Sequence, residues 1–399
     1  MFFEKKILVG ISGGIAVYKT AELIREFKKA GALVRVIMTR KATKFVAPLT
    51  FETLTENSVL LDLFPENPVS YTVHIDWARW ADVMLVCPAT YNTIGKLASG
   101  IADNALTTTI AATQVPIIIC PAMNTAMYQN PIYQENQQKL VRHGYTFVRP
   151  GSGELACGEV GEGRLADKAE IIDAVKRVLY GRYDLAGKRF LITAGPTEEP
   201  LDPVRYLTNR SSGKMGYALA EQARLRGAEV TLVSGPTVIT PPGAVEFVRI
   251  RTAAEMEHEV MQRLNTCDVL IMAAAVSDYR PAQYSDHKLK KKALTNSIPL
   301  VANTDILARA GKDKGNRVHV GFSVETDNDL ENSQHKLLEK NCDFIVINNP
   351  HVPGAAFQAD TNKVTLLDKT GPGSVYPLMS KTQVAEIILD NVLKLIKQS

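Results

Sequence analysis

Two stretches of this chain repeat one order of parts, and that repetition constrains the fold more than any other feature. Residues 6–10 read as a strand that enters the turn Gly10-Ile11-Ser12-Gly13-Gly14. A helix follows over about 16–29, and Gly31-Ala32 leads into a second strand at 34–38. Far downstream the same parts return: a strand and turn at 189–195, a helix at about 214–226, then Gly227-Ala228 and a strand at 229–233. The apolar run 81–86 likewise parallels 267–272. Near-continuous apolar runs, instead of alternation, predict parallel strands covered on both faces. The expected fold class is therefore α/β, with two doubly wound, Rossmann-like domains and mainly parallel sheets. Right-handed crossovers would gather the post-strand loops, and any ligand, at one sheet edge. A length of 399 residues favours two or three domains. The polar stretch 181–188, after a helix at 168–179, predicts the boundary, giving domains 1–183 and 184–399.

Composition narrows the class. Hydrophobic residues make up 45% of the chain and charged residues 22%, the balance of a globular enzyme and not of a disordered or fibrous chain. The net charge of +4 suits anionic small molecules. Nucleic acid needs a concentrated basic face, so no such partner is expected. No apolar stretch approaches the roughly 20 residues that span a bilayer, and Lys5-Lys6 leads directly into a strand without a leader pattern. A cytoplasmic protein with no membrane partner is the expectation. The cysteines at 87, 120, 157, 267 and 342 are scattered without metal-ligand spacing, which fits a reducing compartment. Cys87 and Cys120 end apolar runs and read as buried. Cys157 instead lies in the Gly-rich stretch 151–164, which predicts a mobile flap carrying a thiol able to exchange a proton.

The first turn, Gly10-x-x-Gly13-Gly14, can bring backbone N–H groups and a helix N-terminus to an anion. It lacks the spacing of a dinucleotide site, and Met38-Thr39-Arg40 ends the second strand with no acidic residue for a ribose. A mononucleotide fits better; a tight packing turn without a ligand is the competing reading. His74 is expected just ahead of a helix at 76–82, where the dipole keeps an imidazole neutral and fit to act as a base. Asn124 follows a strand at 115–120, where its amide can donate to a carboxylate or cap a turn.

In the second half, Gly213-Lys214-Met215 is not a P-loop, because the upstream glycine and the hydroxyl residue after the lysine are missing. The long polar insertion 201–213 between strand and helix predicts function. The run Lys288-Leu289-Lys290-Lys291-Lys292 reads as a solvated loop or as a phosphate-binding segment.

With His74-Ile75-Asp76, Cys87-Pro88-Ala89-Thr90-Tyr91-Asn92, Pro121-Ala122-Met123-Asn124 and the Cys157 stretch, the front half resembles the flavin-mononucleotide cysteine decarboxylases. The whole chain, in motif order, resembles the bacterial bifunctional phosphopantothenoylcysteine decarboxylase/phosphopantothenate–cysteine ligases of coenzyme A synthesis. The resemblance implies that domain 1–183 is an FMN-dependent decarboxylase of the flavin cysteine-decarboxylase type. Ser12, Gly13, Thr39, Thr90 and Asn92 would contact FMN, His74 would act as base near the thiol, Asn124 would orient the carboxylate, and Cys157 would supply the returning proton. An α-carboxylate cannot leave without an electron sink, which a cofactor supplies.

For domain 184–399 the resemblance implies a CTP-dependent ligase that joins cysteine to 4′-phosphopantothenate through an acyl-cytidylate. Asn209 would hold that intermediate, with Arg205 nearby. Ala274, Asp278, Lys288, Asp305, Ile306, Phe322, Lys336 and Lys340 would bind CTP. Lys336 and Lys340, four apart, would face one anion. Mg2+ would accompany the triphosphate on water and phosphate oxygens, with no protein ligand assigned. A homo-oligomer formed through both domains is also implied. Two departures are Tyr128, where Trp is common, and Thr304 in place of the usual Pro. A flavin-dependent decarboxylase of peptide C-terminal cysteines would share the front motifs without needing the Asn209 loop. A non-catalytic regulatory protein on the same scaffold would not need His74, Asn124 and Cys157.

Overall fold

The computed structural model describes residues 2–64, 72–154, 158, 160–289, 297–324, 329–348, 358–369 and 371–398. The chain folds as two units, Met1–Tyr180 and Gly181–Ser399.

The first unit runs β1 (Lys6–Ile11), α1 (Val17–Lys29), β2 (Leu33–Met38), α2 (Pro48–Thr55), α3 (Val73–Trp80), β3 (Val83–Ala89), α4 (Tyr91–Ala98) and α5 (Ala105–Ala112). It continues through β4 (Ile117–Pro121), α6 (Thr125–Gln129), α7 (Pro131–Arg142), β5 (Thr146–Phe147), the hairpin β6 (Gly151–Glu154) and β7 (Val160–Arg164), and α8 (Lys168–Tyr180). The main sheet is parallel, in the order β2-β1-β3-β4-β5. Alternate residues feed two cores. Ile7, Val9 and Ile11 join Leu23 and Phe27 of α1 on one face, and Leu8 joins Leu106 and Ile110 of α5 on the other. Both faces are buried, which is why these strands read as continuous apolar runs. Each fully buried Leu, Ile or Phe contributes about 1.5–3 kcal/mol.

The second unit runs β8 (Arg189–Ala194), β9 (Glu198–Pro200), β10 (Tyr206–Thr208), α9 (Lys214–Leu225), β11 (Glu229–Ser234), β12 (Glu246–Arg249), α10 (Ala253–Leu264), β13 (Val269–Met272), β14 (Tyr279–Pro281) and β15 (Leu300–Ala302). Then come α11 (Ile306–Lys312), β16 (Val318–Val324), α12 (Asp329–Glu339), β17 (Phe344–Asn348), β18 (Thr361–Asn362), β19 (Val364–Asp368), β20 (Gly371–Val375), β21 (Met379–Ser380) and α13 (Lys381–Gln398). Its main sheet has the order β12-β11-β8-β13-β16-β17-β19-β20, parallel as far as β17. The first six strands have the doubly wound order of a Rossmann fold, and the first unit has the flavodoxin-like order. The expected α/β class with mainly parallel sheets is what forms. The antiparallel pairings of β17 with β19 and β19 with β20 are an addition that the sequence reading did not contain.

Close contact seats α9 on β8. A Cβ on Gly216 would stand 2.6 Å from the Ala194 Cβ and 2.8 Å from the Thr193 carbonyl oxygen, so no larger residue fits there. The end of the same helix is tied to both ends of the unit. Arg226, 2% exposed, donates from Nε and Nη2 to Asp184 at 2.7 and 2.8 Å and from Nη1 to Asp390 of α13 at 2.8 Å. Burial opposes ionisation of Asp184, but Arg226 outweighs it and holds the carboxyl below its usual range. Among the described residues no helix is long and apolar enough to cross a membrane.

His319 on β16 is fully buried, and neither ring nitrogen has a partner among the described residues. Burial, with Lys314 adding to it and Asp343 opposing, pushes its pKa down from 6.5 to about 4. The folded state therefore resists a proton that the unfolded chain accepts. Stability from this residue is complete above pH 6.5 and drains away as pH falls towards 4, by about 3 kcal/mol in all. Denaturant titrations of the wild type and of His319→Leu across this window should diverge, the variant lacking that part of the slope; parallel curves would refute the assignment.

Candidate active sites

In the first unit the winding reverses between β1 and β3, and a cavity of about 2020 Å³ opens beyond the strand ends. Gly13, Thr39, Thr90, Asn92 and Asn124 all line it: Gly13 after β1, Thr39 after β2, Thr90 and Asn92 at the start of α4 after β3, and Asn124 after β4. A Cβ on Gly13 would meet the Lys41 Cβ at 2.5 Å and its carbonyl carbon at 2.8 Å, so the β1 and β2 loops touch only because glycine is there. Ser12 is placed differently. It is buried, its hydroxyl donates to Pro88 O at 2.8 Å and accepts from Thr90 N at 2.9 Å, and it is not part of the cavity wall. Its side chain thus holds Thr90 in position. Thr90 in turn caps α4, accepting from Thr93 N. Asn124 caps α6 through Oδ1, which accepts from Ala126 N at 2.8 Å and so fixes the direction of its amide. Lys19, Arg40 and Lys41 also line the cavity. They were missed in the sequence, although Arg40-Lys41 directly follow Thr39 and offered a signal.

His74 falls within the first turn of α3, which starts at Val73, earlier than the helix expected at 76–82. Val73 is buried and draws the helix start inward. His74 Nδ1 is shielded from solvent, with no partner among the described residues, while Val73 and Trp77 face the cavity. Arg35 of β2 fastens the other end of this helix, its guanidinium lying 4.4 Å from the Trp80 ring and 5.3 Å from that of Trp77. Cys157 lies outside the described residues. The hairpin β6–β7 that brackets it is anchored beside Asn124, where Met123 N donates to Gly163 O at 2.9 Å. Tyr128 packs 5.3 Å from Tyr133, and burial, with Glu162 adding to it, raises its pKa.

In the second unit the winding reverses between β8 and β13. There Asn209 Nδ2 donates to Val276 O at 2.9 Å and Ala275 O at 3.4 Å, while Ala274 N donates to Thr193 Oγ1 at 3.1 Å. Asp278 is exposed, and its carbonyl accepts from Asn303 N at 2.8 Å. Asp305 caps α11 and pairs with Lys340 at 2.9 Å. Burial opposes its ionisation, but the Ala308 N–H and Lys340 hold its carboxyl below the usual range. Lys336 donates to Ser323 at 3.3 Å, beside Phe322, and Lys340 N donates to Lys336 O at 3.0 Å. The two lysines thus share a helical turn, each engaged with a protein partner. Ile306 is only 3% exposed and packs in the core, so its backbone, not its side chain, is what a ligand can reach. Lys288 is exposed, and Arg205 Nη1 donates at 3.3 Å to the carbonyl of the next residue, Leu289. The carboxylate of Asp202, which the sequence reading passed over, gathers both segments.

The chain matches the flavoprotein family model over residues 3–180 and that of the DNA/pantothenate metabolism flavoprotein C-terminal domain over 185–396. It is 44% identical over 402 residues to the coenzyme A biosynthesis bifunctional protein CoaBC of Bacillus subtilis (strain 168), covering 100% of this chain and 99% of that protein. The chain belongs to the CoaBC family. It is a flavoprotein and a bifunctional enzyme of coenzyme A biosynthesis, combining a decarboxylase and a ligase. It is also 42% identical over 357 residues to a cysteine/cysteine sulfinic acid decarboxylase from an unidentified prokaryote, covering 88% of this chain and 99% of that one. A crystal structure of the C-terminal domain of a CoaBC protein shares 41% identity, covering 54% of this chain and 100% of that one, with a TM-score of 0.47.

The Gly13 contact yields a test. Gly13→Ala must push the Lys41 backbone by several tenths of an ångström, a strain of about 1–3 kcal/mol. Flavin absorbance of the purified variant should fall at least fivefold at matched protein concentration, and full occupancy would show that this wall does not contact the cofactor.

Proposed function

We propose that this protein ligates cysteine to 4′-phosphopantothenate at the expense of CTP and then decarboxylates the product to 4′-phosphopantetheine with FMN. Residues 184–399 carry the first reaction and 1–183 the second. The observation that carries this reading is that one chain has, at the winding reversals of two different sheets, two separate polar sites built from the motif residues.

The first site fits a flavin, because its wall joins a glycine that leaves room for nothing larger to Thr39, Thr90 and Asn92, beside an apolar rim of Val73 and Trp77. Those residues would hold FMN, with Lys41 close to Gly13. When bound, FMN supplies the two-electron oxidation of the cysteinyl thiol, and the later return of those electrons, that lets an α-carboxylate leave as carbon dioxide. His74, carried in the first turn of α3, takes the thiol proton. Asn124 directs its amide at the carboxylate, and Cys157 returns a proton in the reductive step.

In the ligase reaction a phosphopantothenate carboxylate oxygen attacks the α-phosphorus of CTP, and pyrophosphate leaves. The cysteine amine then attacks the acyl carbon, and CMP leaves. Asn209 and Arg205 hold the acyl-cytidylate, while Lys288 offsets phosphate charge. Asp278, Asp305, Lys336 and Lys340, with the backbone of Ala274 and Ile306 and the ring of Phe322, frame the nucleotide. Among the described residues no group of three or more His, Cys, Asp or Glu could hold a metal ion. Mg2+ would accompany the triphosphate, held on water and phosphate oxygens. We further propose a cytoplasmic homo-oligomer, associating through both domains.

Incubation with phosphopantothenate, cysteine, CTP and magnesium should yield phosphopantetheine and CMP by mass spectrometry; a folded, flavin-loaded protein that forms neither would overturn the proposal. The similarity to a cysteine/cysteine sulfinic acid decarboxylase favours a second reading, in which free cysteine is the substrate. Carbon dioxide release from cysteine without CTP, at a rate matching that from phosphopantothenoylcysteine, would favour it.

Two variants separate the sites. Cys157→Ser should accumulate an oxidised, decarboxylated product and lower phosphopantetheine formation at least a hundredfold, whereas normal turnover would remove Cys157 from the reductive step. Asn209→Asp should cut ligation by a similar factor while sparing decarboxylation of supplied phosphopantothenoylcysteine, and loss of both activities would contradict separate sites.

A further inference from the structure

We infer that Asp202 is a positioning residue of the ligase site, a carboxylate that holds the Arg205 turn and the Lys288 segment together. The inference rests on the reading of this unit as the ligase. Asp202 lies in the insertion between β9 and β10, and its side chain is 0% exposed. Its two oxygens divide the work. Oδ1 accepts from Val204 N at 2.8 Å and Arg205 N at 2.9 Å, closing the turn on which Arg205 stands. Oδ2 accepts from Leu289 N at 3.1 Å, across 87 residues of sequence, and lies 3.6 Å from Arg205 Nη1. Arg205 Nη1 completes the circuit by donating to Leu289 O at 3.3 Å.

The turn does not need Oδ2 for its own closure, because Leu201 N and Asp202 N both donate to Arg205 O, at 2.9 and 3.2 Å. What Oδ2 adds is the tie to the residue directly after Lys288. Burial opposes ionisation of this carboxyl, but the N–H groups of Val204, Leu289 and Arg205, with the Arg205 charge, outweigh it and hold its pKa below the usual range. A carboxylate satisfied in this way stays charged and keeps its donors aimed. The group proposed to offset the charge of the triphosphate is thus registered to the loop proposed to hold the acid. An arm that neutralises phosphate from a fixed base loses less freedom on binding than one on an untethered segment.

Asp202→Asn separates the two tasks. Its amide oxygen can still accept from Val204 and Arg205, but its NH2 then faces the Leu289 N–H, donor against donor, and the charge beside Arg205 is gone. In the full-length, flavin-loaded protein the KM for CTP should rise about tenfold or more. The KM for phosphopantothenate should change less, and decarboxylation of supplied phosphopantothenoylcysteine should not change. General loosening of the unit would also weaken ligation, so the deciding measurement is a cycle with Lys288→Ala. If Asp202 acts through Lys288, Asp202→Asn adds little to the KM for CTP once Lys288 is absent. Effects that multiply independently, or an unchanged KM for CTP in the single variant, would overturn the inference. If Asp202→Asn does not fold, Leu289→Pro, which deletes the N–H that Leu289 donates to Oδ2, takes its place in the cycle with the same two outcomes. Absence of CTP-dependent pyrophosphate release in the wild type would instead strike the ligase reading itself.

Discussion

A parallel strand with both faces buried can present chemistry only beyond its carboxyl end, and both units of this protein are governed by that constraint. β1 gives Ile7, Val9 and Ile11 to one core and Leu8 to the other, and β8 divides Phe190 and Ile192 from Leu191 in the same way. The central side chains of these strands are thus committed to the two cores. The polar residues therefore cluster in the loops after the strands, where the reversal of winding parts neighbouring connections. Gly13, Thr39 and Thr90 follow β1, β2 and β3. Ala274 and Asp278 follow β13, and Phe322 lies near the carboxyl end of β16. One scaffold rule thus prepares two places for chemistry and leaves the loops to decide which chemistry each performs.

This division also explains what was legible in the sequence. Core strands announce themselves, because continuous apolar runs such as 81–86 and 267–272 have no other comfortable home. The glycine turn was legible because its spacing is local. The motif positions Thr39, Thr90, Asn92 and Asn124 meet at one cavity wall. What remained hidden depends on contacts between distant segments. The task of Ser12 is set by Pro88 and Thr90, and nothing in the run Ile11-Ser12-Gly13 points to them. Asp202 in Asp202-Pro203-Val204-Arg205 reads as an ordinary turn former until Leu289 is seen to donate to it. The start of α3 was misplaced because an apolar residue, Val73, and not a polar cap, opens the helix. The antiparallel strands β19 and β20 escaped because short edge strands carry weak periodic signals.

Charges in the second unit recur as organisers of backbone, not as isolated surface pairs. Asp305 caps a helix while holding Lys340, and Asp202 closes a turn while holding Arg205. In each case the carboxylate accepts from backbone N–H and faces a cation, and for Asp202, whose side chain is 0% exposed, this is the arrangement in which a shielded charge is tolerated. A carboxylate shielded as Asp202 is sets positions more than it adds stability, since what it gains from its partners is largely spent on leaving water.

The clamp made by Arg226 has a consequence for how the chain comes into being. Arg226 joins Asp184, which precedes the first strand of the second unit, to Asp390 in α13, its last helix, and α13 supplies Val384, Ile388 and Leu389 to the core that β8 and α9 also fill. During synthesis the first unit has all its core strands before the second begins, so it can form while the chain is still emerging. The second unit cannot close its core until α13 has left the ribosome. Its early strands are made before the helix that helps cover their sheet, and until that helix docks the uncovered apolar face is an aggregation-prone surface.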